Sequence, residues 1–285
     1  MSTTPWLVSA ASVMGSRHTR SVTDCQDSFA THQDADTLIL ACADGASRAR
    51  LARTASSLAV TLAADEGRRV LPSVRDGLPP AAVAAALAHR LDRGTRNVVH
   101  RFRRAAAAMS SSLSDRQGYR LDQWGTTLTL VVIRRPWLAA VAIGDGFVVT
   151  RCGTSQFDLL LPPDEAPGQD RTALGAGRWG AGRFAEPGRT VFVTSPCAET
   201  RARRVVARLP DLTGVAVSSD GLREVGLVHE EARAVRPYHR FFTPLFAHAD
   251  KAAEDDAYLA RLLAGERLAA LTHDDKTLVV AVERT

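Results

Sequence analysis

The sequence predicts an α+β fold that combines short, buried strands with two long helices. Residues 38–43 form an apolar run that is too short for an ordinary helix and is bounded by polar residues, so we expect a buried strand. Alanine-rich stretches at about 49–66 and from 80 to about 112, with a break near Gly94, predict the helices. Between 124 and 151, three apolar runs joined by short turns predict an antiparallel meander.

The remaining elements are shorter, and one stretch shows no regular pattern. Further strands are predicted at 6–10, 190–194, 214–219 and 278–282. A hairpin turn is expected at 34–36, a short basic helix at about 199–209 and a partly polar helical region at 229–267. Prolines and glycines at about 153–188 predict a long irregular flap within a single domain that spans 1–285.

The positive charge of the chain is modest and diffuse. The formal net charge is +5 and the pI is about 9.4. This balance favours acidic or phosphorylated partners, but no basic stretch interleaved with aromatic residues indicates nucleic-acid binding. Because no apolar run approaches the ~20 residues of a membrane span, we expect neither nucleic acid nor a membrane as a partner.

The cysteines indicate a reducing compartment. Cys25, Cys42, Cys152 and Cys197 are far apart and form no C-x-x-C pair, so neither a zinc site nor a disulfide framework is evident. The N-terminus lacks the basic and apolar regions of a signal peptide. We therefore expect a cytoplasmic protein.

Four aspartates, Asp27, Asp44, Asp220 and Asp274, border predicted strands in distant parts of the chain. A single aspartate in such a place is most often a helix cap or a turn residue. Gathered at aligned strand ends, however, they would repel one another unless divalent cations neutralised them, and all-oxygen sites favour magnesium or manganese over zinc. Two such ions could share Asp44, orient a phosphate and activate the water that attacks phosphorus.

Six short motifs follow one another at predicted strand ends and turns. They lie at Cys25–Ser28, Ala43–Ser47, Gly125–Thr127, Gly144–Gly146, Ser219–Leu222 and Asp274–Thr277. Together they resemble the metal-dependent PPM/PP2C-type serine/threonine phosphatases, in a pattern similar to a divergent bacterial branch. Each motif is weak alone, but six in family order cover most of the chain. The resemblance implies an α-β-β-α sandwich, in which two antiparallel sheets lie between helix pairs.

The resemblance also implies which residues hold metal. Asp44 would bridge two ions, with the carbonyl of Gly45 on one of them. Asp220 and Asp274 would hold the other ion. Asp27 would act directly or through a water molecule.

A third metal site is implied by Asp145, which resembles the aspartate of that site in many bacterial members of the family. Glu224, four residues after Asp220, would supply the second carboxylate there. The expected cofactor is therefore Mn²⁺ or Mg²⁺, as two ions with a third as an alternative.

The chain departs from the family pattern in the loop that begins at Asp44, which we call the metal loop. Residues 46–48 replace glycines, and Ala46 stands where some members carry a histidine that is a proposed general acid. Protonation of the leaving group would then fall to water or another side chain. His18 and His273 are candidates, although an ordinary surface or core histidine is the simpler interpretation of each.

The phosphate-binding arginine is displaced as well. Val22 occupies the position of the arginine that the family uses for phosphate. We therefore assign this catalytic role to Arg20, with Arg17 behind it and Arg48 as a further candidate, because the planar guanidinium pairs with two phosphate oxygens.

The resulting hypothesis is a metal-dependent phosphatase that acts on phosphoserine or phosphothreonine in proteins, such as the products of a serine/threonine kinase. The lost glycines and the displaced arginine motivate one alternative, a non-catalytic module that binds a phosphorylated partner. A second alternative keeps the enzyme and replaces the protein substrate with a phosphorylated small molecule.

Overall fold

The structure, a computed structural model, describes residues 6–16, 24–34, 36–70, 78–112, 120–163, 179–180, 190–229, 235–252 and 255–284. The strands are β1 (Trp6–Val13), β2 (Ser28–Gln33), β3 (Leu38–Ala43), β4 (Leu128–Arg134), β5 (Trp137–Ile143), β6 (Phe147–Cys152), β7 (Gln156–Leu161), β8 (Trp179–Gly180), β9 (Arg203–Arg208), β10 (Leu212–Ser218), β11 (Leu227–His229), β12 (Val235–Pro237) and β13 (Lys276–Glu283). The helices are α1 (Ala52–Val70), α2 (Pro80–Ser112), α3 (Ala198–Arg201), α4 (Arg223–Gly226), α5 (His239–Ala249), α6 (Asp256–Ala264) and α7 (Glu266–Ala269).

Two large antiparallel sheets form the centre of the fold. The five-stranded sheet has the order β1-β13-β10-β6-β7, and the six-stranded sheet has the order β2-β3-β4-β5-β9-β8. Helices α1 and α2 cover the outer face of the six-stranded sheet, whereas α5 and α6 cover the outer face of the five-stranded sheet. A third apolar core lies between the sheets. The predicted α-β-β-α sandwich is confirmed.

Strand β3 shows why the apolar run at 38–43 is buried. Successive side chains of a strand point to opposite faces, so Leu40 lies in the core between the sheets and Ala41 in the core under the helices. All six residues of the strand are buried. The predicted hairpin turn before it is also confirmed, because Asp34 Oδ1 accepts hydrogen bonds from the backbone N–H groups of Asp36 and Thr37.

The predicted break near Gly94 is wrong, because α2 runs through this position without interruption. Gly94 is buried against α1, and a Cβ atom there would lie 3.3 Å from Cγ of Glu66. The glycine therefore lets two long helices approach each other closely.

Among the described helices, none is long and apolar enough to cross a membrane.

The predicted meander at 124–151 is wrong in its third strand. Strands β4 and β5 pair as expected, but β6 pairs with β10 and β7 in the other sheet. The turn at 144–146 is consequently a crossing between the two sheets rather than a hairpin. This crossing places Asp145 at the end of the sandwich.

Three shorter predictions also need correction. Residues 190–194 form no strand, although the backbone N–H of Val193 donates to the carbonyl of Thr126 at 2.8 Å. The predicted helix at 199–209 is one turn of helix followed by β9. The predicted flap at 153–188 begins with an ordered strand, β7, while 164–178 and 181–189 lie outside the described residues.

Candidate metal centre

Two of the predicted aspartates meet at the end of the six-stranded sheet. Asp27 directly precedes β2 and Asp44 directly follows β3, and Ser28 pairs with Ala43 in the antiparallel register. Asp27 and Asp44 therefore occupy the next rung of the ladder, where side chains of a pair are neighbours. Asp27 is buried, with 6% of its surface exposed.

The five-stranded sheet brings two more aspartates to the same end. Asp220 follows β10 and Asp274 precedes β13, its antiparallel partner. Ser219 joins the two sheets, because its hydroxyl donates to Oδ2 of Asp27 at 2.8 Å and accepts from the backbone N–H of Thr277 at 3.1 Å. The motifs that are distant in sequence thus meet across the sandwich.

Asp145 reaches this end from the turn that crosses between the sheets. Its side chain is buried, and its Oδ2 accepts a hydrogen bond from the hydroxyl of Thr190 at 2.9 Å. Its negative charge acts on Asp220, so the two carboxylates lie in one electrostatic environment. Asp145 therefore belongs to the same acidic cluster as the aspartates at the strand ends.

Burial and mutual repulsion hold several of these carboxylates in an unfavourable state. Burial raises the pKa of Asp27 to about 6. Burial, followed by the charges of Asp145, Asp274 and Asp27, raises the pKa of Asp220 to about 8. For Asp44, burial and the charges of Asp27 and Asp220 raise the pKa well above its usual value. The cluster therefore retains protons at a pH where exposed carboxylates would be ionised.

The loop after β3 is held by hydrogen bonds to the Gly-Thr-Thr motif at Gly125–Thr127. The backbone N–H of Thr127 and the hydroxyl of Thr126 both donate to the carbonyl of Asp44, at 2.8 and 2.9 Å. The N–H of Asp44 donates in turn to Oγ1 of Thr127. A Cβ atom on Gly45 would lie 2.8 Å from the carbonyl of Gln26, so this position needs glycine.

Asp275 has a structural role that the sequence did not reveal. It is 2% exposed, and its two oxygens accept hydrogen bonds from the backbone N–H groups of Gly15 and Gln26, at 2.7 and 2.5 Å. Its own carbonyl oxygen would lie 1.8 Å from a Cβ atom on Gly221. Asp275 therefore ties three loops of the acidic end together. Two adjacent aspartates were visible in the sequence, but nothing there indicated that the second one binds backbone.

The remaining predicted site residues are either exposed at the surface or outside the described residues. Arg48 is exposed in the turn after the metal loop, and Glu224 is exposed on α4. His273 is exposed and its Nδ1 lies 2.9 Å from the hydroxyl of Ser16. Arg17, His18 and Arg20 lie outside the described residues.

The residues present fit a divalent cation. Oδ1 of Asp27 is buried and has no hydrogen-bond partner among the described residues. Carboxylate and backbone carbonyl oxygens are the donors that Mg²⁺ and Mn²⁺ prefer, and a cation would remove the repulsion that raises these pKa values. The fit is one of donor chemistry: within the described ranges, no group of three or more His, Cys, Asp or Glu side chains is arranged so that it could hold a metal ion.

Comparisons with known proteins agree with the fold described above. A family model described as Protein phosphatase 2C matches residues 14–264. A serine-threonine phosphatase 2C from Toxoplasma gondii has a similar fold, with a TM-score of 0.61 and 14% identity over 99% of this chain and 96% of that one. Serine/threonine phosphatase Stp1 from Staphylococcus aureus gives a TM-score of 0.57 and 14% identity over 100% and 98% of the two chains.

A third similar structure is RsbX in complex with magnesium, with a TM-score of 0.50 and 13% identity over 98% of this chain and 95% of that one. At these identities, the similarities to solved structures show the fold alone. A comparison with curated proteins gives no match.

Proposed function

The chain belongs to the protein phosphatase 2C family, and we propose that it is a Mn²⁺- or Mg²⁺-dependent phosphatase of phosphoserine and phosphothreonine in proteins. The observation that carries this proposal is the cluster of buried, mutually repelling aspartates at one end of the sandwich. A domain that needed only to bind a partner would gain nothing from carboxylates that destabilise it. The magnesium in the RsbX structure supports a divalent ion.

The aspartates would hold the metal, as the family resemblance implies. A bound divalent cation lowers the pKa of water and neutralises charge on a phosphoryl group. In this proposal, Asp44 binds two ions and Gly45 contributes its carbonyl to one of them. Asp220 and Asp274 bind the other, and Asp27 takes part directly or through water.

Other residues of the chain would serve the third ion and the substrate. Asp145 belongs to the acidic cluster and is the better supported ligand for a third ion, whereas Glu224 is exposed on α4. Arg20, Arg17 and Arg48 stay our candidates for orienting the phosphate, because a guanidinium pairs with two phosphate oxygens.

The partner that this proposal implies is a phosphorylated protein, such as the product of a serine/threonine kinase. Because all four cysteines are free, we also propose that the protein works in the reducing cytoplasm.

Hydrolysis of an aryl phosphate tests the reaction. We expect wild type to turn over the substrate with Mn²⁺ or Mg²⁺ and to be inactive with a chelator. Asp44→Asn should lose at least about a hundredfold in activity, because removing even a residue that only supports a metal ligand costs about 10–100-fold. A folded wild-type protein that hydrolyses nothing in any condition would favour the phospho-partner-binding module instead.

A second assay separates the two substrate classes. The same enzyme is given phosphoserine and phosphothreonine peptides in parallel with phosphorylated small metabolites. We expect the higher kcat/KM for the peptides. Preference for a small phosphorylated metabolite would keep the metal-dependent chemistry and reject the protein substrate.

A further inference from the structure

A buried arginine lies at the acidic end of the sandwich, in a part of the fold that the proposed mechanism does not use. Arg203 is the first residue of β9 and pairs with Ala142 of β5. Val205 and Ala207, which alternate with it along the strand, face the core between the sheets, so Arg203 faces the same side. Only 3% of its surface is exposed.

The guanidinium of Arg203 contacts the backbone of the turn that carries Asp145. Its Nη2 donates hydrogen bonds to the carbonyl oxygens of Gly144 and Gly146, the second at 3.0 Å. These two carbonyls belong to the residues on either side of Asp145. Burial of a charged group is costly unless it is hydrogen-bonded, so this contact is a built feature of the fold.

The turn is constrained from other sides as well. Gly144 has a φ of +100°, a conformation that favours glycine, and a Cβ atom there would lie 2.6 Å from Cγ2 of Thr127. The hydroxyl of Thr190 donates to the Asp145 carboxylate itself. Arg203 thus acts on the backbone of the turn, while Thr190 orients the side chain.

We propose that Arg203 is a positioning residue, which fixes the turn at 144–146 so that the Asp145 carboxylate is held ready for a divalent cation. The inference rests on the proposed function, because it gives Asp145 a metal-binding role. Groups that orient a metal ligand without touching the metal typically change metal affinity about 10–100-fold when they are removed.

Calorimetric titration with Mn²⁺ tests this role by binding rather than by activity. The proteins are wild type, Arg203→Met, Arg203→Lys, Asp145→Asn and the double variant Arg203→Met/Asp145→Asn. The matched control is Arg204→Met, because the Arg204 side chain donates to the carbonyls of Ala202 and Glu199 instead of to the turn. Circular dichroism establishes that each variant is folded before it is titrated.

We expect Arg203→Met and Asp145→Asn each to weaken one Mn²⁺-binding step by at least about tenfold. The double variant should bind no more weakly than Asp145→Asn alone, because both changes act on the same ligand. Arg203→Lys, which keeps the charge and a donor, should recover part of the loss. The control should bind Mn²⁺ as wild type does.

A folded Arg203→Met variant that binds Mn²⁺ as wild type does would overturn the proposal, since the turn would then need no support from this side chain. Two further results would also overturn it. One is a double variant in which the two losses add, since Arg203 would then act independently of Asp145. The other is an Asp145→Asn variant that binds Mn²⁺ like wild type. If Arg203→Met does not fold, Arg203→Lys replaces it in the same cycle, and either of these two results would still overturn the proposal. A wild type that binds Mn²⁺ without hydrolysing phosphate would refute the proposed function and leave this test valid.

Discussion

The middle of the sandwich and its acidic end are built on opposite principles. Between the sheets, side chains such as Leu138, Val215 and Val279 are fully buried and apolar, which stabilises the fold. At one end of the sandwich, Asp27 and Asp145 are almost as deeply buried, although they carry carboxylates. Burial therefore stabilises the folded state in the middle of the sandwich and destabilises it at the acidic end.

The difference indicates where function lies. Repelling carboxylates raise one another's pKa and destabilise the cation-free protein, and such clusters are typical of functional sites, which agrees with the metal-binding role that we propose for this one. The apolar middle supplies the stability that offsets this cost and aligns the strand ends that carry the cluster. Stability and metal binding should therefore respond separately to substitutions in the two regions.

Truncation in the middle should give the largest loss of stability. Leu138 is fully buried at the end of β5 that is remote from Asp145. We expect Leu138→Ala to lower the free energy of unfolding by about 2–5 kcal/mol, as a cavity forms in the apolar core. Urea denaturation measures the loss. The Mn²⁺ concentration for half-maximal activity should stay unchanged, and a large shift in it would mean that the two regions are coupled.

Substitution of Asp275, which ties three loops together at the acidic end, should lower the stability by a smaller amount. In Asp275→Asn, one acceptor oxygen is replaced by an NH₂ group that faces a backbone N–H. We expect a loss of about 1–3 kcal/mol in the free energy of unfolding, the cost of a buried donor without a partner. The variant is compared with wild type in urea at pH 7. Unchanged stability would show that the three loops are held together without this side chain.

The pH dependence of the cation-free protein should show the strain at the acidic end. The usual pKa of these carboxyls is 3.8, whereas in the folded protein it is about 6 for Asp27 and about 8 for Asp220. Between about pH 4 and pH 8 the folded state therefore holds more protons than the unfolded state, and stability falls as pH rises. Below about pH 4, these carboxyls are protonated in both the folded and the unfolded protein, so their ionisation no longer lowers the stability.

Thermal unfolding in chelator at several pH values measures this trend. We expect a lower Tm at pH 8 than at pH 5.5. Mn²⁺ should reverse part of the difference, because the metal binds ionised carboxylates and so stabilises the protein more at the higher pH. A Tm that rises with pH in chelator would show that the cluster is not strained in the folded state.

The sequence predicted the strands that carry the aspartates because their pattern is local. A short apolar run that ends in aspartate and glycine identifies β3 and β10 without knowledge of their neighbours. The partner of a strand is not local information. The turn at 144–146 has the composition of a hairpin, yet its chain crosses to the other sheet. Similarly, the basic stretch at about 199–209 predicts a short helix, whereas most of it forms β9. Its side chains alternate between the two faces of a sheet, and that alternation can be recognised only when the neighbouring strand is known.

In the candidate site, too, the residues marked by local motifs could be predicted, and those that act through tertiary contacts could not. Asp27, Asp44, Asp145, Asp220 and Asp274 were marked by their motifs, and the fold brings them to one end of the sandwich. The groups that hold them in place, Asp275 and Arg203, act through backbone atoms of distant loops. Such contacts depend on tertiary structure and leave no pattern in a single sequence.

Thermal unfolding of wild type and Asp44→Asn in chelator and in Mn²⁺ at pH 8 tests the central claim most directly. Asp211→Asn, at an exposed aspartate in the turn before β10, is the control. We predict that Asp44→Asn has a higher Tm than wild type in chelator, because an amide at position 44 has no charge that must be buried or neutralised by proton uptake on folding, and that it gains much less from Mn²⁺. The control should behave as wild type does. A cation-free Asp44→Asn variant that is less stable than wild type and gains as much from Mn²⁺ would contradict the account.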